Sequence, residues 1–187
     1  MSEYAAAGDK VEVPALDCPG CGRRLRPWSS YRRRLRGAPR ERIWVRRGRC
    51  PAPTEKCQRT QALLPEFVVE RRLDEVDTIG AAAELAAAGR SAWKSSEELG
   101  RPFSTVRDWR HRLRERAPDL LAALAREALL VGVQLGELPT HPLAALVALL
   151  REVWERSRAR SPGLPELWRF WNLVCSGRGV ARNTHPV

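Results

Sequence analysis

Four of the five cysteines in the chain fall into two close pairs. Two residues separate Cys18 from Cys21, six separate Cys50 from Cys57, and 28 residues lie between the pairs. Thiolates that arrive in pairs from two tight turns are the usual ligands of a structural zinc ion, which they hold tetrahedrally at about 2.3 Å. The spacing therefore predicts one structural Zn²⁺ bound by these four cysteines.

The sequence around the pairs supports a metal site but leaves alternatives open. Gly20 and Gly22 suit the first turn, because a tight turn around sulfur ligands needs residues that tolerate positive φ. The second gap is longer than the two-residue gap of the simplest sites, although Pro51 and Pro53 limit its shapes. The alternatives are buried free thiols and a disulfide, which would need an oxidising compartment for which the chain offers no signal. A catalytic zinc is disfavoured, because four thiolates leave no open position and no His-x-Glu element precedes the first pair.

The positive charge of the chain is concentrated around the cysteine pairs. The formal net charge is +11, and residues 18–60 contain thirteen Arg and one Lys against two Glu. The segment between the pairs predicts two basic strands around a turn at Gly37 to Pro39, which with the cysteines outlines a zinc ribbon. This charge indicates a polyanionic partner, DNA or RNA rather than a membrane, because no basic helix with a continuous apolar face accompanies it. The candidate DNA contacts in the ribbon are Arg32, Arg33, Arg34, Arg46 and Arg47.

Residues 91–116 have the pattern of a helix-turn-helix. Ser91 to Leu99 predicts a short helix, Gly100 to Phe103 a tight break, and Ser104 to Arg116 a longer basic helix. An Ala-rich segment over 73–88 predicts a further helix before them. The side chains expected to pack between these helices are Leu99, Phe103, Val106 and Trp109.

The outer face of the longer helix supplies the candidate contacts to bases and phosphates. The residues expected to face outward are Ser104, Thr105, Arg107, Asp108 and His111, and the arginines available to phosphates or guanines are Arg110, Arg112, Arg114 and Arg116. An ordinary helical hairpin is the alternative. Ser95 favours that alternative, because its position usually carries an aliphatic residue, and Trp93 is expected to supply the apolar contact instead.

The order of these motifs resembles one group of proteins. The matching segments are Cys-Pro-x-Cys-Gly at 18–22, the basic hairpin, Arg-x-Arg-Cys at 47–50, Arg-Thr-Gln-Ala-Leu-Leu-Pro at 59–65, and Gly-Arg-Pro-x-Ser-Thr-Val-Arg-x-Trp at 100–109. They resemble uncharacterised actinobacterial proteins with a zinc ribbon and a helix-turn-helix, which are similar to the amino-terminal DNA-binding regions of insertion-sequence transposases. The resemblance covers residues 15–116 and implies a zinc site at the four paired cysteines and DNA contact by the 104–116 helix. The second pair in that family is usually Cys-x-x-Cys.

The carboxy-terminal third predicts helices that prolines punctuate. Pro118 to Leu135 and Pro142 to Ser157 are rich in Ala and Leu, and Pro165 to Val174 is rich in aromatic residues. Their apolar stripes are expected to form a core or a dimer surface, and a homodimer is one expectation because DNA readers with a single recognition helix gain affinity by pairing. Cys175 is expected to be a lone buried thiol.

Together the patterns predict a mainly α protein with a small amino-terminal β zinc ribbon, a helix-turn-helix middle unit and a helical carboxy-terminal part. The predicted organisation is a flexible tail over 1–14, the ribbon over 15–70, the helix-turn-helix over 71–117 and the helical region over 118–187. A cytoplasmic, nucleoid-associated setting is expected, because neither a signal peptide nor an apolar run of about 20 residues occurs.

The residues point to two functions and away from catalysis. Transposase chemistry needs separated carboxylates on a mixed sheet, and no alternating strand pattern follows residue 70. Because the chain also lacks a Gly-rich phosphate loop and a nucleophile elbow, we expect no enzymatic activity and no small-molecule substrate. The favoured hypothesis is a structural-zinc protein that binds double-stranded DNA, either a transcriptional regulator or a transposase-derived module. The alternative is a zinc-stapled protein-interaction adaptor without specific DNA binding.

Overall fold

The computed structural model describes residues 6–10, 16–18, 20–36, 42–51, 57, 59–69, 72, 74–134 and 136–175. The chain divides into two compact units, Met1–Pro65 and Glu66–Val187. The described residues form three strands and five α-helices, so the fold is mixed, with a small antiparallel sheet near the amino terminus and helices after it. The turn predicted at Gly37 to Pro39 lies outside the described residues.

The sheet of the first unit is formed by β1 (Arg26–Arg34), β2 (Arg42–Arg49) and β3 (Thr60–Leu63), in that order. The prediction of two paired basic strands is confirmed by β1 and β2, which pair antiparallel. Strand β3 was not predicted, because the sequence analysis expects only two strands, both between the cysteine pairs. Its strand conformation comes from pairing with β2, in which Arg46 lies opposite Leu63 and Arg49 opposite Thr60.

The two faces of β2 have different surroundings. Alternate residues of a strand point to opposite faces, and on one face Ile43 and Val45 are fully buried. The opposite face carries Arg46, whose guanidinium donates a hydrogen bond of 2.8 Å to the carbonyl of Asp9. Asp9 belongs to a 3-10 helix at Gly8–Lys10, within the segment that the sequence assigns to a tail.

The second unit contains α1 (Val76–Ala87), α2 (Ala92–Glu98), α3 (Phe103–Leu130), α4 (Pro142–Arg160) and α5 (Leu167–Val174). Helix α1 ends before Gly89, whose φ of 77° is the left-handed conformation expected at a helix end. Helices α1, α2 and α3 pack on one another, and α4 and α5 cover α1 from further sides. Within the described ranges, no helix combines the length and apolarity needed to cross a membrane.

Helix α3 is longer than the sequence predicts. It passes through Pro118 without a break, whereas the sequence predicts one helix over 104–116 and another from Pro118 to Leu135. The proline costs the helix one backbone hydrogen bond, but the buried stripe continues across it through Leu113, Ala117, Leu120 and Leu124. Burial of that stripe holds the helix together, so the predicted boundary at 117 falls inside a single helix.

Helix α5 is attached to α1 by a close approach and by polar contacts. The Trp168 indole lies directly against Gly80, where a Cβ would stand 2.0 Å from Cδ2 of the ring. The indole Nε1 donates a hydrogen bond of 3.0 Å to Glu84. Buried Asn172 donates from its side-chain amide to the carbonyls of Glu66 and Val68, at 2.7 and 3.0 Å. The aromatic residues of the carboxy-terminal part therefore form core.

Candidate metal centre and nucleic-acid interface

The first cysteine pair is positioned by a tight hairpin at residues 16–25. The Leu25 amide donates to the Leu16 carbonyl at 2.9 Å, and the Cys18 amide donates to the Arg23 carbonyl at 2.7 Å. At the tip, the amide of Gly22 folds back onto the Cys18 carbonyl at 2.8 Å, with φ at 69°. This turn confirms the expected positive φ at one of the two glycines and directs both thiols to the same side.

The second cysteine pair is positioned by pairing of β2 with β3. The Cys50 amide donates to the Arg59 carbonyl at 3.0 Å, which extends the ladder one step beyond the Arg49 and Thr60 pair. Cys50 and Cys57 therefore lie at the end of a hairpin, whose residues 52–56 are outside the described part of the chain. The two cysteines thus flank the segment between β2 and β3, and sequence reasoning did not predict β3.

The four sulfur atoms form one cluster. Sγ of Cys18 lies 3.5 Å from that of Cys57, Sγ of Cys21 lies 3.4 Å from that of Cys50, and all four lie within 4.8 Å of one another. A tetrahedral ion with four thiolates at about 2.3 Å needs sulfur separations of about 3.8 Å, within the observed range. A disulfide needs about 2.05 Å, and all four cysteines are free. The cluster could hold a metal ion.

A small apolar shell surrounds the cluster. Cys18, Cys50 and Cys57 are buried together with Leu25 and Leu63, whereas Cys21 is exposed. At Gly20 an added Cβ would stand 3.3 Å from the Cys57 sulfur, so this glycine provides a close approach. Two leucines make only a small apolar shell around the sulfurs, so a metal ion would supply much of the stability at this end of the sheet.

Two thiols of the cluster, those of Cys18 and Cys57, differ in pKa. The backbone amide of Gly20 donates a hydrogen bond that lowers the pKa of the Cys18 thiol to about 7. The hydrogen bond between Cys57 and Cys18, joined by contact with Cys21 and by burial, raises the pKa of the Cys57 thiol to about 12. A divalent cation would remove this difference, because every coordinating thiol is deprotonated outright. The donor set therefore suits a cation that prefers thiolate.

The start of α3 presents a basic stripe. Among the predicted contacts, Ser104, Arg107, His111 and Arg114 are exposed, and their spacing of three and four residues places them on one side of the helix. Thr105 and Arg110 are half-buried, and burial lowers the pKa of the Arg110 guanidinium. The predicted packing residues Val106 and Trp109 are buried.

Three residues of this region differ from expectation. Phe103, predicted to pack inside, is exposed and lies against Trp93 with ring centroids 5.8 Å apart. Trp93 is itself 61% exposed, so it does not supply an apolar core contact. Asp108, predicted to face outward, is half-buried and pairs with Arg112 at 2.8 Å and with Arg72 at 3.9 Å. Because these arginines neutralise Asp108, its carboxylate does not cancel the positive charge of the stripe.

The predicted ribbon arginines are not equivalent. Arg32 and Arg34 are exposed on β1, and the Arg32 guanidinium lies 4.8 Å from the ring centre of Trp44. Arg33 is half-buried. Arg46 bonds to the Asp9 carbonyl, and Arg47 donates to the Thr60 hydroxyl at 2.9 Å. Arg32 and Arg34 are thus the most accessible of the five.

Sequence reasoning missed one exposed aromatic residue of the ribbon and its arginine partner. The Arg49 guanidinium lies 4.3 Å from the ring centre of Trp28, and this tryptophan is 56% exposed. Alternation would have indicated its position only if the strand were regular, but β1 has a register shift between Pro27 and Ser29.

The chain matches no family model, no curated protein and no solved structure. The resemblance to proteins with a zinc ribbon and a helix-turn-helix therefore stays a prediction. The geometry of the cysteine cluster and of the basic surfaces is the basis for the function proposed below.

Proposed function

We propose that the chain is a DNA-binding protein whose amino-terminal unit is held together by one structural zinc ion. The observation that carries the proposal is the cluster of four cysteine sulfurs within 4.8 Å of one another, next to strands rich in arginine. Zinc is preferred over other cations because four thiolates in a closed tetrahedral arrangement are its usual structural site. Its role is to join the hairpin at residues 16–25 to the β2–β3 hairpin.

The zinc proposal is tested by metal content and folding. Structural zinc supplies roughly 10–16 kcal/mol of apparent free energy in small zinc peptides, so Cys50→Ser should lose the metal and the fold of the sheet together. Cys175→Ser is the matched control, because Cys175 lies outside the cluster. We expect about one zinc per chain in the wild type and in the control. Absence of metal from wild-type protein purified without chelator would refute the zinc site.

The second part of the proposal concerns duplex DNA. In a helix-turn-helix the second helix enters the major groove with its first turns, and the exposed stripe occupies the corresponding part of α3. Arg107 is central in this stripe and leans over the Phe103 ring at 5.6 Å, which limits its motion. Arg32 and Arg34 of the ribbon would contact phosphates and add affinity without reading sequence.

Selection from a random duplex library tests this part, followed by binding measurements at several salt concentrations. Affinity for a selected site should fall steeply with salt, because each neutralised phosphate releases counterion. Arg107→Ala should weaken that site by about 1–3 kcal/mol more than unrelated duplexes. Arg126→Ala is the matched control, since this exposed arginine lies on the same helix about 28 Å further along. Failure to enrich any site would contradict sequence-specific binding.

The role in the cell follows from the resemblance and is equally a proposal: transcriptional regulation, or a DNA-binding module derived from a transposase. A second candidate function, a protein-interaction adaptor, is favoured by one observation. Leu129 and Leu130 at the end of α3 are 70% and 74% exposed. A protein partner or a second copy of the chain could cover them.

The adaptor is tested by replacing both leucines with glutamate in the full chain. Loss of self-association in sedimentation, with duplex binding weakened, would support a DNA-binding homodimer. Loss of a protein partner by a chain that never bound DNA would support the adaptor. Deleting residues 117–187 is unsuitable, because it would cut α3 and remove Leu120 and Leu124 from the core.

A further inference from the structure

Trp28 is placed on the surface of the ribbon by a β-bulge. The register of β1 and β2 runs from Pro27 opposite Gly48 directly to Ser29 opposite Arg47, so Trp28 is the extra residue. A bulge turns a side chain away from the regular alternation and increases the local twist. The result is a large aromatic ring that remains 56% exposed although it belongs to a sheet.

The surroundings of Trp28 are basic and otherwise small. Arg49 covers part of the indole at 4.3 Å from the ring centre, and Arg26 lies directly opposite Arg49 in the register. A second exposed aromatic residue, Tyr31, follows three positions later, and the residues between the two rings are serines. None of the three strands contains an acidic residue. The surface therefore combines two accessible rings with a local excess of positive charge.

We propose that this surface, which we call the Trp28 platform (Arg26, Trp28, Tyr31, Arg47 and Arg49), binds single-stranded DNA by stacking unpaired bases. Bases inside a duplex already stack on one another and offer no free face, whereas unpaired bases stack on exposed aromatic side chains. Arg26 is exposed and available to the phosphates between those bases, whereas Arg47 and Arg49 are half-buried and add positive charge beside the rings. The inference rests on the proposed nucleic-acid function of the ribbon and adds to it a ligand and a mode of contact.

The test compares two ligands of equal charge. Binding of the full chain is measured by fluorescence anisotropy with an oligothymidylate of about twelve nucleotides and with an abasic strand of the same phosphate number. Trp28→Leu should weaken oligothymidylate binding by roughly 5- to 150-fold and leave abasic binding within about twofold, since only the first ligand has bases to stack. Trp28→Phe, which keeps a ring, should recover most of the affinity.

Trp93→Leu is the matched control, because Trp93 is equally exposed but belongs to α2 in the second unit. It should leave oligothymidylate binding unchanged. Equal losses on the two strands, or no loss on oligothymidylate, would overturn the platform, and so would an equal loss with Trp93→Leu. If Trp28→Leu loses zinc or sheet structure, Tyr31→Leu replaces it, with the same expected difference between the strands and a smaller effect.

The platform proposal and the helix-turn-helix proposal can be refuted independently of each other. Arg107→Ala should change duplex selectivity without changing the preference for oligothymidylate over the abasic strand. A chain that selects no duplex but shows the Trp28-dependent preference keeps the platform and loses the helix-turn-helix proposal. A chain that selects a duplex but lacks the Trp28-dependent preference keeps the helix-turn-helix proposal and loses the platform.

Discussion

Replacing Gly80 by alanine tests the packing of α1 against α5. Gly80 is buried, and its ideal Cβ would stand 2.0 Å from Cδ2, 2.2 Å from Cγ and 2.4 Å from Cε2 of Trp168. To reach an ordinary carbon separation of about 3.5 Å, the indole must retreat by roughly 1.5 Å. It is a rigid ring held edge-on to Trp171 at 5.6 Å and bonded to Glu84 at 3.0 Å, so it cannot retreat without breaking contacts.

The magnitude follows from opposing terms. Alanine is favoured over glycine inside a helix by about 1 kcal/mol, which would stabilise the variant. Overpacking of a well-filled core costs about 1–3 kcal/mol, and complete expulsion of a tryptophan costs about 3–5 kcal/mol. The cost of overpacking exceeds the gain in helix propensity, because the contact is with a buried ring rather than with the end of a flexible side chain. We expect Gly80→Ala to lower the free energy of unfolding of the second unit by about 1–3 kcal/mol.

Urea unfolding followed by helical circular dichroism measures this change. Gly136→Ala is the matched control, because nothing lies within 4 Å of a Cβ at that position. Gly80→Ala combined with Trp168→Leu should be less destabilising than the two single changes added together, by about 0.5–3 kcal/mol. A Gly80→Ala variant as stable as the wild type or more so would refute the close approach of the indole.

Three further changes have defined outcomes. Asn172→Leu should destabilise the second unit by about 1–3 kcal/mol in urea unfolding, because it leaves two carbonyls without their side-chain donor; an unchanged midpoint would contradict this. Gly22→Ala should cost about 1–2 kcal/mol, because an L-residue is strained at a φ of 69°, and should release the proposed zinc ion to a chelator more readily than Gly163→Ala; equal release rates would refute it. Pro118→Ala should stabilise α3 by about 2 kcal/mol, because it restores one helical hydrogen bond and removes a clash, an effect partly offset by unfolded-chain entropy; a lower melting temperature would argue against a helix that is continuous through Pro118.

The local elements and the cysteine cluster could be predicted from the sequence. Two cysteine pairs flanking a basic segment predicted that four thiols converge, and they do. The Ala-rich segment over 73–88 predicted α1. These features depend on neighbours in sequence, and turn chemistry, helical periodicity and ligand spacing are read directly from such neighbours.

The features that tertiary structure decided all depend on partners distant in sequence. Strand β3 has only four residues, and its pairing with β2 makes it a strand and brings Cys57 back to Cys50. Helix α3 continues through Pro118 because the core buries a stripe on both sides of the proline. A one-residue bulge exposes Trp28, whereas Trp168 is buried because its indole packs against Gly80. Periodicity identifies which residues of an element share a face, but packing against the rest of the chain decides which faces are covered.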